Sequence, residues 1–117
     1  MDGAVETAAL EPVVIPNLVA LISDACTAID AYADAARGKC RAALPNDDGR
    51  PDRAALEREQ HIAHGLSWLV TYAETLRQTA EWAARLDQEG KFGTTESLLT
   101  QILFSDYCAQ LASGIPM

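Results

Sequence analysis

Between Asp52 and Gly90, apolar residues recur at Leu56, Ile62, Ala63, Leu66, Leu69, Val70, Ala73, Leu76, Ala80, Ala83 and Leu86. Steps of three and four line one face of a helix. Arg58, Glu74, Arg77, Gln78, Glu81, Arg85 and Gln88 fall on the other face. Glu74 with Gln78, and Glu81 with Arg85, stand four apart, where side chains can meet. The pattern predicts one long helix, about 57 Å at 1.5 Å per residue, carrying both tryptophans and both histidines. Asp52 suits its N-cap, and Gly90 suits a left-handed C-terminal position. Gly65 is its weak point, a place for a kink or a close crossing.

Two further helices flank it. From Asn17, a capping residue, Leu18, Leu21, Ile22, Ala25, Ile29, Tyr32 and Ala36 follow helical spacing, and Leu44 falls in the last turn. Arg37, Lys39 and Arg41 complement the negative end of that helix. Pro45 to Pro51 is a turn by chemistry, with Asn, Asp and Gly between prolines. A second turn, Gly90 to Gly93, leads to a third helix over Thr95–Ala112, capped by Thr94. Pro12 to Pro16 is expected to be extended, its three branched residues free to lie in a groove of the helices. Folding back over the third helix is the alternative to self-association there. The small acidic stretch before Pro12 is expected to be loosely held. No strand alternation appears. The expected fold is all-α: an up-down bundle of three main helices, open to completion by a partner. Residues 1–16 form a flexible or extended N-terminal segment, and residues 17–117 form one helical bundle domain.

Charge narrows the function. The net charge of −8 opposes nucleic acid, whose phosphates attract basic surfaces, and equally an anionic membrane surface. Cys26, Cys40 and Cys108 make an odd count without a CxxC. No signal peptide is evident, so a reduced, cytoplasmic protein is expected.

Candidate chemistry is sparse. Glu57, His61 and His64 share a helical neighbourhood, but the di-iron pattern needs Glu-x-x-His on two helices. Here the third residue after Glu57 is Gln60, and after Glu59 it is Ile62. HExxH is also absent. The histidines therefore read as surface or hydrogen-bonded groups, and the cysteines as structural thiols without a local base. Trp68 and Tyr72 share a face and read as packing residues, with a ligand groove as the rival reading.

Three stretches carry a resemblance: Gly65 to Gln78, Glu89-Gly-Lys-Phe-Gly93, and Gln101 to Met117. Together they resemble the helical N-terminal extension of bacterial acyl-CoA dehydrogenases of the (2S)-methylsuccinyl-CoA dehydrogenase type. The likeness is best from His61 onward, looser over the first helix and absent over the first dozen residues. The resemblance implies a homo-oligomeric flavoprotein family, in which FAD accepts a hydride and a carboxylate takes the α-proton. Those regions lie downstream of the Gly-Ile-Pro-Met stretch at which this sequence stops. No catalytic, cofactor-binding or metal-binding residue is therefore carried over, and no cofactor is expected in this chain.

The expected partner is a second copy or a flavin-containing dehydrogenase domain. Its contact is expected on the third helix, where Leu98, Leu99, Ile102, Leu103, Phe104, Tyr107, Cys108 and Leu111 wrap more than one face. Phe104 and Tyr107 are the expected anchors, since large aromatics dominate such contacts. Leu66, Leu69, Leu76, Ile102 and Leu103 are expected in the core. The rival to the dehydrogenase reading is a free-standing helical dimerisation module without enzymatic activity.

Overall fold

Three long helices lie side by side, the middle one touching both others. A computed structural model describes residues 11–43 and 53–113. The helices are α1 (Leu18–Ala43), the short α2 (Arg53–Arg58), α3 (Gln60–Gln88) and α4 (Thr94–Ser113). The expected Asp52 cap, the 45–51 turn, Leu44, the first ten residues and the last four lie outside the described residues.

Helix α3 is central, with α1 packed along it and α4 against its later part. The beginning of α1 meets the end of α3, because Leu18, Ile22 and Cys26 share a cluster with Leu76 and Ala83. Tyr72 reaches Tyr107 and Gln110 near the end of α4, so α4 also runs antiparallel to α3. This is the expected up-down arrangement. Phe104 joins α4 to the cluster that α1 and α3 form.

The core is thin. Among the described residues nine apolar side chains are buried, three of them alanines. Small side chains let the helices approach but remove little surface from water. Leu76 is fully enclosed, and Leu69 is also buried. Leu66 and Leu103 are half-buried. Ile102 departs from expectation: 66% of it is exposed, while Ser97 and Thr100 are buried instead. Thr100 lies three residues before Leu103 and four before Phe104, on the face that turns inward. Its hydroxyl donates to the Glu96 carbonyl at 2.8 Å, so burial leaves no unmatched donor.

The long central helix is not continuous. Glu59, with φ −113° and ψ 38°, interrupts it. Its carbonyl accepts from Ile62 and Ala63 as α3 restarts. The helix runs unbroken through Gly65, six residues after the true interruption. No proline or glycine marks Glu59, and nothing in the local sequence explains the break.

Three ends follow their chemistry closely. At Gly90, φ is +70°. Lys91 N–H donates to the Leu86 carbonyl and Gly90 N–H to the Asp87 carbonyl, at 2.8 and 3.1 Å. That pair of bonds is a Schellman closure. Helix α4 is capped by Gly93 rather than Thr94. The Gly93 carbonyl accepts from Ser97 N–H, and the Glu96 carboxylate reaches back to Gly93 N–H at 3.1 Å, the return half of a capping box. Asn17 opens α1 with φ 55°, a conformation that asparagine tolerates better than most residues, and its carbonyl accepts from Leu21.

One row on α3 has its own order. The hydroxyls of Ser67, Thr71, Thr75 and Thr79 each donate to the carbonyl four residues earlier. Glu74 takes two partners, accepting from Gln78 at 2.9 Å and pairing with Arg77. Among the ion pairs of the described residues, the expected Glu81–Arg85 pair does not occur.

Candidate functional site

Three features stand out on the surface: a cleft, an aromatic row and an apolar rim.

The cleft, of about 920 Å³, runs between α1 and α3. Val14, Ile15 and Pro16 wall one end, and Asp30, Arg77 and Glu81 stand farther along it. The extended segment is held there by α4. The Gln101 side chain accepts from Ile15 N–H at 2.7 Å and donates to the Val13 carbonyl at 2.9 Å. In the sequence Gln101 is a polar residue within the apolar third helix, and its spacing assigns it no contact. Its partners lie 86 and 88 residues away, where no local pattern points.

The cleft does not suit FAD. A pyrophosphate needs cations or convergent N–H donors. Arg77 is the cation among the lining residues, and it is paired with Glu74. Asp30, Glu81 and Asp87 add negative charge to the same walls. No flavin chemistry is derived from these residues.

The aromatic row climbs α3 and crosses to α4. The indole N–H of Trp68 donates to His64 Nε2 at 2.9 Å. The Trp68 and Tyr72 rings meet edge to face at 5.8 Å, and Tyr72 stacks on Tyr107 at 4.5 Å. His64, which spacing placed near His61 and Glu57, thus has a tryptophan for a partner. His61 lines a smaller hollow with Tyr32, Cys40, Leu66 and Leu111. Among the described residues, no three His, Cys, Asp or Glu side chains gather as a metal site. Trp82 lies apart, edge-on to Phe92.

The cysteines are free among the described residues. Burial pushes the Cys26 thiol above its ordinary value, with Asp30 adding to the effect, and burial alone raises Cys108. Both are held as neutral thiols, unlike nucleophilic cysteines with a depressed pKa.

The rim belongs to α4. Leu99 is 58% exposed beside Ile102. Phe104, expected to anchor an outside contact, is only 7% exposed and lies in the chain's own core. Tyr107 is half-buried against Tyr72. The outward apolar residues are therefore neighbours of the expected anchors. No helix among the described residues is long and apolar enough to cross a membrane.

Fold and surface together define an all-α helical domain with a thin core and an uncovered apolar rim. No family model matches the chain. It resembles part of a dehydrogenase: it is 46% identical over 101 residues to (2S)-methylsuccinyl-CoA dehydrogenase of Cereibacter sphaeroides. The match covers 86% of this chain but 18% of that enzyme.

Proposed function

We propose that this chain is the accessory helical domain of a flavin-dependent acyl-CoA dehydrogenase, placed N-terminally in such proteins, and that it supports assembly or the substrate side. The observation that carries this reading is the 46% identity to (2S)-methylsuccinyl-CoA dehydrogenase, spread over 101 residues. The FAD and the catalytic carboxylate belong to the rest of such a protein, and this chain serves as a supporting surface in the cytoplasm.

The apolar rim supports a role in assembly: Leu99 is 58% and Ile102 66% exposed, side by side on one helix, and contiguous exposed apolar surface of this kind marks interaction sites. Leu99 and Ile102 stand at the centre of the contact, with Tyr107 at its border and Phe104 supporting it from beneath. A flavin-containing dehydrogenase domain or a second copy covers it.

The test is a chimera. The matching segment of the Cereibacter sphaeroides enzyme is replaced by this chain, and in parallel deleted. The chimera is expected to keep its oligomeric state and FAD, and the deletion to lose one or both. A deletion that assembles and retains FAD normally would refute the supporting role. The exposed rim also favours a second reading, a free-standing dimerisation module. Light scattering on the chain alone tests the rim, which is an interface between copies if a dimer is dissociated by Ile102→Glu with the helices intact. A flavin-domain reading frame, fused or directly downstream, separates the two readings, since only the first requires one.

A further inference from the structure

The segment over residues 13–15 is held in an unusual way. In an extended chain, the carbonyl of one residue and the N–H two residues later point to the same side. The Gln101 carboxamide meets just this pair, the Val13 carbonyl and the Ile15 N–H. One side chain thus stands in for a neighbouring strand. Pro12 and Pro16 flank the segment, fix their own φ and disfavour helix in the residue before each.

Val13 is 78% exposed, and Val14 and Ile15 are each about two-fifths exposed, so the segment lies at the surface with one side of Val14 and Ile15 covered. Both hydrogen bonds are open to solvent. Yet Val14, Ile15 and Pro16 form a wall of the α1/α3 cleft, beside Val19 of α1. Directly after Pro16, Asn17 turns with φ 55°, so the segment leaves the helix at a sharp corner.

We propose that residues 13–15 are a releasable strap, latched to α4 by the Gln101 carboxamide, which closes one end of the α1/α3 cleft. Release parts two solvent-facing bonds and re-exposes the covered sides of Val14 and Ile15, and it opens the cleft without disturbing the core around Leu76. The strap is the cleft's own gate.

Amide exchange by NMR on the full chain tests this. One hydrogen bond of ordinary strength slows exchange about fivefold. Ile15 should exchange more slowly than Val14, whose N–H Gln101 does not engage, by that factor after correction for intrinsic rates. Gln101→Leu should erase the difference and increase paramagnetic solvent relaxation at the Val19 methyls, leaving the Leu76 methyls unchanged. Gln101→Glu keeps an acceptor for Ile15 but no donor for Val13, and should retain part of the protection. Equal exchange of Ile15 and Val14 in the native chain would overturn the latch. So would a Gln101→Leu chain, folded by the Leu76 signal, in which Ile15 stays protected or Val19 stays shielded.

Discussion

The Tyr72 hydroxyl donates to Gln110 Oε1 at 2.8 Å, across the α3–α4 seam. The same ring stacks on Tyr107 with planes 14° apart. Tyr72 therefore holds the far part of α4 by both its face and its tip. Tyr72→Phe keeps the stack and loses the bond, and should cost about 0.5–1.5 kcal/mol. Urea denaturation measures it. A cost indistinguishable from zero would mean that water replaces Gln110 without loss.

Leu76 and Ile102 make a contrasting pair. Leu76→Ala should destabilise the chain by about 2–5 kcal/mol, since it leaves a cavity in a thin core. Ile102→Ala should shift stability by less than about 0.5 kcal/mol in the chain alone. Thermal unfolding of both variants checks the facing of α3 and α4 together.

Gly90 has its own test. Any L side chain at φ +70° incurs strain of roughly 1–2 kcal/mol, although nothing stands within 4 Å of an added Cβ. Gly90→Ala should destabilise by that amount, and Gly90→Asn by less, because asparagine tolerates this region. Equal stability of all three chains would show that the turn relaxes freely.

Two thiols, buried Cys26 and half-buried Cys108, set an alkaline limit. Their ordinary value is 9.0, and both Cys26 and Cys108 are raised above it. Within the window between the ordinary and raised values, the unfolded chain has released protons that the folded chain still holds. The stabilisation is therefore complete below about pH 9 and is lost as pH rises through the folded values. Denaturation followed from pH 8 to 10.5 should show falling stability, reduced in Cys26→Ser relative to its own pH 8 value. Thiol labelling at pH 8 should reach half-buried Cys40 before buried Cys26.

Much of this was legible in the sequence. On α3 one polar face opposes one apolar face, so spacing alone selects Leu69, Leu76 and Ala83 for burial. On α4 spacing cannot choose. Ile102 and Phe104 lie about 200° apart around the axis, so a helix apolar all round leaves open which turns inward. The larger Phe104 fills the core, and Thr100 accompanies it because its hydroxyl finds a backbone acceptor one turn earlier. Gly90 declared itself through backbone freedom. The break at Glu59 carried no such signal. The contact of Gln101 with Val13 and Ile15 is a long-range meeting that periodicity cannot express.

The hydroxyl row on α3 changes what water encounters there. From Thr71 to Thr79 each hydroxyl proton is committed to the helix's own carbonyls, and what remains on each threonine is a methyl group and an acceptor oxygen. A hydropathy tally counts this stripe as fully hydrophilic. To the solvent it offers methyls and acceptors but no hydroxyl donor, so a partner seated there would have to bring the donors.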